Sequence, residues 1–366
     1  MSSLDSLPTP AALIDLDRLE ANCAWMSRRF SELGVALRPH VKTHKIPAIA
    51  RLQVLGHDAG VTVSTLAEAR AFTEAGFDDL CWALPLPPAR ADEALDLAGQ
   101  VSLCLLVDHP RTAGLLEQAA AQAGRKVRVR LELDCGYGRT GVRASDPGSL
   151  ALARQLRDSP NLDFEGLLTH AGQAYGARDI GQIGQIAALE TRAAVGFSQA
   201  LRASGIEVRV VSTGSTPTCR RGRDFQGVTE VRPGNYALFD LHQAAIGSCE
   251  VDEIALEVLA SVIGVYEDRV VLDAGALALS KDAGASHAGL RGYGMVLDLQ
   301  RRELPLELVS LSQEHGIAQG DPGDLQPGDR VRILPNHSCL VTALHPVVWG
   351  VREGRVVESW SPVRGW

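Results

Sequence analysis

The chain has 366 residues, 45% of them hydrophobic, with 36 Gly and 18 Pro, a composition typical of a globular protein long enough for two cores. The formal net charge is -8 with both signs interspersed, so the sequence argues against a nucleic-acid partner, and neither a membrane-spanning apolar run nor a signal peptide is evident. The seven cysteines are scattered without a CxxC pair, which favours the reducing cytoplasm over a disulfide framework.

Strand and helix patterns alternate over the first two thirds of the chain. Residues 9–15 predict a short strand, and Asp17 is the predicted N-cap of the helix that follows. The later strands are expected near 35–41, 60–63, 80–84, 102–107, 127–133, 164–169, 207–212 and 228–231. Helical patterns lie between them at 65–76, 110–123, 147–157 and 181–204. Eight such units fit a (β/α)8 TIM barrel, although a doubly wound sheet would give the same alternation.

The character of the sequence changes after about residue 245, where β-rich runs are separated by Gly, Asp and Pro turns. The runs are Glu257–Tyr266, Arg269–Asp273, Gly292–Val296, Asp329–Leu334 and Val347–Val357. We therefore expect an α/β barrel over 17–243, followed by a mostly β C-terminal domain. Because the first short strand could pair with that domain, we assign residues 1–16 and 244–366 to it.

The stretch RPHVKTHK, beginning at Arg38, is central to the interpretation. Its apolar residues alternate with Arg38, His40 and Lys42, which predicts a strand with one apolar and one basic face. A basic face is tolerable only against a polar cavity, because a buried unpaired ammonium is costly. Lys42 ends this face, and Thr43 is the predicted N-cap of a helix over 46–55. In a barrel enzyme, this strand end would hold a reactive amine; an ordinary charged strand end is the alternative.

Two further clusters follow the fifth and sixth predicted strands, at the edge where barrel active sites form. The loop DCGYGRTG has glycines that permit a tight turn presenting Arg139. The segment THAGQAYG places the imidazole of His170 and the phenol of Tyr175 after the next strand. Each cluster taken alone is also compatible with a structural turn or a satisfied core histidine.

The last two barrel strands are followed by candidate phosphate-binding segments. The run Ser212-Thr-Gly-Ser-Thr-Pro-Thr218 combines hydroxyl groups with the backbone amides of Gly214 and Ser215. The segment RPGNY adds the amides of Gly234 and Asn235. Since TIM barrels often bind phosphate after strands seven and eight, the shared placement is stronger evidence than either motif.

A fourth candidate site lies in the C-terminal domain, where PNHSC contains His337 and Cys339. On a strand, residues two apart project to the same side, so both could reach one ion. Imidazole with thiolate suits Zn2+, and two local ligands would leave coordination positions for water or substrate. A bare HxC is weak evidence, because a buried cysteine is commonly just a small hydrophobic residue.

Taken together, these segments resemble the fold-type III pyridoxal-phosphate enzymes of the D-serine dehydratase and D-threonine aldolase group, whose fold is that of alanine racemase. The resemblance covers nearly the whole chain. It rests on TPAALIDLD, RPHVKTHK, DCGYGRTG, THAGQAYG, STGSTPT, RPGNY, DAG, EHG and PNHSC, in that order.

The resemblance implies a role for each matching position. Lys42 would carry the cofactor as a Schiff base, Arg139 would reach its phenolate oxygen, and His170 would lie against its ring. Tyr175 matches a tyrosine near cofactor and substrate, and Arg232 matches an arginine that alanine racemases place near the pyridine nitrogen. The residues assigned to the cofactor are Lys42, Arg139, His170, Tyr175, Ser212, Gly214, Ser215, Gly234 and Asn235, and those assigned to the metal are His337 and Cys339.

The resemblance further implies a lyase that acts on β-hydroxy D-amino acids and depends on pyridoxal 5'-phosphate and a divalent metal. Dehydratase-like members show His and Cys at the metal site, whereas the aldolases usually show His and Asp. His337 and Cys339 thus favour a dehydratase of D-serine, with D-threonine or 3-hydroxy-D-aspartate as alternative substrates, that uses Zn2+, with Mn2+ or Mg2+ as alternatives. A homodimer is expected, since family members are often dimers.

Three alternatives remain at this point. The first is an aldolase that cleaves D-threonine or 3-hydroxy-D-aspartate. The second is an amino acid racemase, which would need a catalytic tyrosine from the β domain, yet Tyr266 and Tyr293 lie in no matching motif. The third is a non-catalytic cofactor carrier, which resembles the barrel alone.

Overall fold

A parallel barrel forms one half of the molecule. The structure is a computed structural model that describes residues 2–366. Within that range eight strands form a parallel sheet, in the spatial order Ala36–Leu37, Glu230–Val231, Val210–Thr213, Leu162–Thr169, Val127–Leu133, Ser102–Val107, Asp79–Pro85 and Val61–Val63. A bridge between His40 and Thr62 closes the two edges of this sheet. The barrel prediction is confirmed, and the doubly wound alternative is wrong.

The helices have buried apolar faces against the strands. Their bounds are Leu16–Glu32, Pro47–Gln53, Leu66–Glu74, Ala91–Ala98, Pro110–Gln122, Pro147–Asp158, Ile180–Ala203, Thr216–Arg221, Leu241–Ala245, Ala276–Leu279 and Ser338–Leu344. The first helix is capped by Asp15, which accepts a hydrogen bond from the Arg18 amide at 3.1 Å. Asp17 lies in the first turn, so its prediction as N-cap was wrong. No helix within 2–366 is both long and apolar enough to span a bilayer.

The chain around Lys42 differs from the predicted strand. Regular strand ends at Leu37, and Lys42 lies in a 3-10 turn, Val41–Thr43. The amide of His40 still reaches the carbonyl of Pro233 at 2.9 Å, but the proline before His40 has no amide to continue the ladder. The following helix begins at Pro47 without a side-chain cap, so the prediction that Thr43 caps it was also wrong.

The second sheet is largely antiparallel. Its ten strands within the described residues follow the order Ser2–Ser3, Arg355–Trp360, Val348–Arg352, Ala11–Asp15, Leu256–Tyr266, Arg269–Leu272, Gly316–Gly320, Glu303–Leu311, Gly294–Leu297 and Arg330–Pro335. An additional pairing between 256–266 and 330–335 curls it towards closure. The sequence did not indicate the strands 303–311 and 316–320, because a proline interrupts the first and glycines bound the second. The predicted β character is confirmed.

The strand Ala11–Asp15 lies inside this second sheet, between Val348–Arg352 and Leu256–Tyr266. The chain then continues directly from this strand into the first barrel helix, which begins at Leu16. This pairing supports assigning residues 1–16 with 244–366, and we retain that division, with the barrel at 17–243, as a proposal.

Ion pairs occupy part of the barrel interior. Glu230 accepts from Arg130 Nη1 and from Arg38 Nε, both at 2.6 Å, and Arg130 Nε reaches Glu165 at 3.0 Å. Burial alone would raise the pKa of Glu230, but the two guanidinium groups lower it well below its usual value. Since each charge has a partner, the network avoids the large cost of an isolated buried ion.

Replacing Glu230 by alanine should therefore destabilise the protein strongly, by about 3–5 kcal/mol, because two buried guanidinium groups lose their partner. Urea unfolding followed by circular dichroism measures this change. The matched control is Asp163→Ala, which removes an exposed partner of Arg209 and should change stability little. Equal effects of the two substitutions would contradict the role of the buried network.

Candidate active site

The barrel end that carries the predicted site residues opens into a cavity of about 650 Å³. This volume lies within the ordinary range for small-molecule sites. Loops from both sheets line it. Of the residues assigned from the sequence, those on its surface are Lys42, Arg139, His170, Tyr175, Gly214, Ser215, Gly234, Asn235, His337 and Cys339. Segments about three hundred residues apart in sequence thus meet at one cavity.

The two lysines of the central stretch occupy different environments. Lys42 lines the cavity and forms no ion pair with any residue in the described range 2–366. Lys45 instead reaches the carboxylate of Glu68, a fully buried side chain, at 2.9 Å. The structure therefore presents Lys42, and not Lys45, as the amine available for chemistry.

The cavity floor is electropositive. Burial lowers the pKa of His170 well below its usual value, and the nearby charges of Lys42, Arg139 and Arg232 lower it further. The pKa of His40 is also lowered, first by burial and then by the charges of Lys42 and Arg232. Both imidazoles are thus held neutral among cations, which suits a cavity that binds an anion.

Tyr175 and Arg139 both lie near His170 at the cavity. The Tyr175 ring is 6.2 Å from the imidazole of His170, and burial raises the pKa of its phenol, which accepts a hydrogen bond from the Thr216 amide. Arg139 is exposed, with its guanidinium carbon 5.4 Å from the ring centroid of Tyr137. An exposed guanidinium can turn towards a ligand at little cost.

Gly214 and Ser215 shape the loop after the strand Val210–Thr213. Gly214 has φ +95°, and an added Cβ would lie 2.6 Å from Cys219 Sγ, so the position requires glycine. Its amide donates to Glu190 at 2.9 Å, and the amide of Ser215 donates to Thr218 at 2.8 Å. The two amides predicted to bind phosphate therefore already have protein partners.

Gly234 and Asn235 approach the cavity from the last barrel strand. A Cβ on Gly234 would lie 2.5 Å from the carbonyl oxygen of His40, so only glycine fits there. The side-chain amide of Asn235 donates to Asp240 at 2.7 Å and to Ser338 at 2.8 Å. The Asn235 side chain thus links the barrel loop to the second sheet, while its Oδ1 has no hydrogen-bond partner among the described residues.

Ser212 is not among the described residues that line the cavity, and its assignment to the cofactor stays a prediction. Its buried hydroxyl donates to Glu230 at 2.5 Å and accepts from Arg232 Nη1 at 2.5 Å. Both of its hydrogen-bonding roles are filled inside the barrel. Ser212 therefore connects the interior ion pairs to Arg232, whose buried guanidinium does reach the cavity wall.

His337 and Cys339 meet at a strand-to-helix turn. The strand ends at Pro335, His337 precedes the helix Ser338–Leu344, and Cys339 lies in its first turn. The prediction that both lie on one strand was wrong, yet both side chains line the same cavity. Cys339 Sγ lies 3.3 Å from the hydroxyl of Thr43, next to Lys42.

The pair is electrostatically coupled. Burial alone would lower the pKa of His337, but hydrogen bonds to Asp282 and Cys339 raise it to about 11. Burial alone would raise the pKa of Cys339, but His337 and Lys42 lower it. An imidazole beside a readily ionised thiol is a donor set that fits a soft divalent ion. Within 2–366 no group of three or more His, Cys, Asp or Glu side chains surrounds such a position.

The remaining cavity features fit a phosphorylated aldehyde cofactor. The free amine of Lys42 provides a covalent attachment point, and the cations that hold His170 neutral can balance phosphate and phenolate charges. Two glycines, Gly214 and Gly234, have no side chain and so allow the backbone to approach a ligand in the cavity closely.

Sequence reasoning missed three carboxylates that organise the site. Glu190 accepts from the amides of Ala171 at 3.0 Å and Gly214 at 2.9 Å, so one oxygen holds two of the cavity loops. Asp240 binds Asn235 and Ser338, and Asp282 binds His337. Each is an isolated acid in a helix or loop, and nothing in its neighbouring sequence marks it as functional.

Comparison with known proteins identifies two family domains in the chain. The N-terminal domain of alanine racemase matches residues 14–241, and a putative serine dehydratase domain matches residues 255–351. The D-threo-3-hydroxyaspartate dehydratase of Delftia sp. (strain HT23) is 40% identical over 100% of this chain and 99% of its own. The D-serine dehydratase of Dictyostelium discoideum is 30% identical over 99% of this chain and 98% of its own. The D-threonine aldolase of an Arthrobacter species is 31% identical over 98% of this chain and 93% of its own.

Solved structures give the same picture. Two variants of a D-threo-3-hydroxyaspartate dehydratase superpose on this chain with TM-scores of 0.96 and 0.95, each at 38% identity. Both superpositions cover 100% of this chain. They cover 100% of the first variant's chain and 97% of the second variant's chain. One replaces a cysteine by alanine and is in a metal-free form; the other replaces the histidine two positions before that cysteine.

The double role of Glu190 leads to a local prediction. Glu190→Ala should leave two buried amides unpaired, at a cost of about 1–3 kcal/mol each, and should loosen both loops. Hydrogen exchange at Ala171 and Gly214 measures the loosening directly. Glu190→Gln retains an accepting oxygen and serves as the matched control, with protection close to that of the unsubstituted protein. Unchanged exchange in Glu190→Ala would contradict the bridging role.

Proposed function

The chain belongs to the fold-type III pyridoxal-phosphate lyases that join an alanine racemase-like barrel to a serine dehydratase domain, and we propose that it dehydrates a β-hydroxy D-amino acid. The substrates we propose are D-threo-3-hydroxyaspartate, D-serine or D-threonine. Overall, water is lost across Cα–Cβ, and hydrolysis of the product consumes one water and releases a keto acid and ammonia. The observation that carries this proposal is the meeting of Lys42 with the His337–Cys339 pair at one cavity.

The proposed roles follow from the position of each side chain. Lys42 would hold the cofactor, and its amine would accept the proton from Cα, since it lines the cavity without an ion pair. Arg139 and Arg232 hold negative charge on the cofactor. His337 and Cys339 would hold the divalent ion at the same cavity.

The two bound groups supply what side chains cannot. When bound, pyridoxal phosphate provides an electron sink for the charge left at Cα, and the divalent ion provides Lewis acidity for departure of the β-hydroxyl. His170 would lie against the cofactor ring, and Tyr175 would lie near the substrate. We propose that the backbone of Gly234 and Asn235 and the hydroxyl of Ser215 bind the phosphate, while Gly214 sets the shape of the loop.

The thiolate ligand supports dehydration and the choice of Zn2+. A thiolate prefers a softer ion than a carboxylate does, and Mn2+ or Mg2+ remain the alternatives. The spacing of the substituted histidine and cysteine in the Delftia-type enzyme variants matches that of His337 and Cys339, which supports their proposed role as ligands.

Retro-aldol cleavage is the second candidate, because a D-threonine aldolase matches 98% of this chain. A racemase is less well supported. Neither Tyr266 nor Tyr293, the tyrosines that such a reaction would draw from the β domain, is among the described residues that line the cavity. A non-catalytic carrier resembles only the barrel, whereas this chain matches a second domain over 255–351.

We further propose a homodimer in the cytoplasm. All seven cysteines are free thiols, which supports a reducing compartment. Leu84 at the cavity and Leu340 beside Cys339 expose 44% and 41% of their surface, which supports a partner subunit near the cavity mouth.

Substitution of Lys42 tests the attachment site. Lys42→Ala should remove the visible absorption band of the bound cofactor and reduce turnover by several orders of magnitude. Lys45→Ala is the matched control and should retain the band, because the Lys45 amine is bound to Glu68. Borohydride reduction followed by peptide mapping should locate the cofactor on Lys42. A label on Lys45 would refute the assignment.

A substrate panel tests the reaction itself. D-threo-3-hydroxyaspartate should give oxaloacetate and ammonia, and D-serine should give pyruvate and ammonia, both lost after chelation and restored by Zn2+. Cys339→Ala should bind metal weakly and turn over slowly. Glycine and an aldehyde as the sole products would establish the aldolase instead, and full activity without any bound ion would refute the metal role.

A further inference from the structure

Asp282 binds one nitrogen of the His337 imidazole. The two side chains meet through His337 Nδ1 and Asp282 Oδ2 at 2.6 Å. His337 and Cys339 line the same cavity, and the thiol interacts electrostatically with the imidazole. With Nδ1 engaged by a carboxylate, Nε2 is the nitrogen left to bind an ion beside the sulfur.

Asp282 is itself fixed by its surroundings. Its second oxygen, Oδ1, accepts from the amide of Gly284 at 2.7 Å. Its amide donates to the hydroxyl of Ser280 at 3.2 Å, and its carbonyl oxygen accepts from the side chain of Asn336 at 3.1 Å. Because Asn336 is the residue before His337, the carboxylate and the imidazole share a common anchor.

The loop that carries Asp282 docks on the barrel. Ala285 packs in an apolar cluster with Ala171, Ala174 and Ala177, which follow the strand that leads to His170. His287 reaches the carbonyl oxygen of Ala177 at 3.1 Å. The orientation of the imidazole is thus set by a loop whose own position depends on contact with the barrel.

We propose that Asp282 is a positioning residue for the metal: it holds His337 in the tautomer and rotamer that directs Nε2 to the ion beside Cys339. The inference rests on the proposed function, in which His337 and Cys339 are the ligands. Carboxylates that bind the second nitrogen of a ligating histidine typically change metal affinity by 10–100-fold. Asp282 acts through His337 and does not itself bind the ion.

The test measures metal affinity in the absence of substrate. Purified holoenzyme is stripped of metal, and the dissociation constant for Zn2+ is measured by competition with a chromophoric chelator. Asp282→Ala should weaken Zn2+ binding about 10–100-fold. Asp282→Asn retains an oxygen that accepts from Nδ1, so its Zn2+ affinity should lie between that of Asp282→Ala and that of the unsubstituted protein. Loaded with Co2+, Asp282→Ala should keep a thiolate-to-cobalt absorption band of altered position.

Asp321→Ala is the matched control. Asp321 accepts from the amide of Gly323 at 2.9 Å, which repeats the Asp282–Gly284 bond in an exposed turn without a histidine. Loss of such a turn alone should leave Zn2+ affinity unchanged. If Asp321→Ala weakened binding as much as Asp282→Ala, the effect would be structural and the inference would be overturned.

Two reference variants separate this inference from the proposed function. His337→Ala and Cys339→Ala should abolish tight binding; if they bind Zn2+ normally, the ligand assignment itself fails. If they lose the metal while Asp282→Ala binds normally, the ligand assignment stands and the positioning role fails. Loss in Asp282→Ala as complete as in Cys339→Ala, with no Co2+ band, would mark Asp282 as a ligand and also overturn the inference.

Discussion

The buried carboxylate of Asp240 is the interaction on which the geometry of the site depends. One oxygen, Oδ2, accepts from the side chain of Asn235 at 2.7 Å and from the amide and hydroxyl of Ser338 at 3.0 and 3.1 Å. Asn235 belongs to the loop after the last barrel strand, and Ser338 lies between His337 and Cys339. Since an unpaired buried carboxylate would be costly, these contacts fix the distance between the barrel and the turn that carries His337 and Cys339.

The barrel interior contains charged side chains at positions where many barrels have layers of apolar side chains. Glu230 compensates Arg38 and Arg130, and through Ser212 it also supports Arg232 at the cavity wall. The net effect is a rigid guanidinium below the ligand position, supported by hydrogen bonds that water cannot easily replace. An exposed arginine such as Arg139 has no comparable support and remains free to respond to a ligand.

The sequence predicted the barrel because strand and helix periods are local properties, and each expected strand overlaps an observed one. It predicted that Lys42 and Cys339 carry chemistry, but placed both on strands. At Lys42 a proline interrupts the ladder and a single 3-10 turn follows; at Cys339 a helix begins directly after Pro335. The sequence did not show that the hydroxyl of Ser212 bonds to Glu230 and Arg232, because a hydroxyl next to a glycine loop looks the same whether it faces the cavity or the core.

The choice between the two lysines shows why tertiary context was needed. Both lie in one motif, three positions apart; periodicity favours Lys42, but it does not show what the amine of Lys45 contacts. Glu68, far away in sequence and fully buried, neutralises Lys45 and so removes it from the chemistry. The turn that separates them also brings the hydroxyl of Thr43 to the sulfur of Cys339. The contact that ties Cys339 to the barrel is therefore one residue from Lys42, so a shift of either segment would move both side chains.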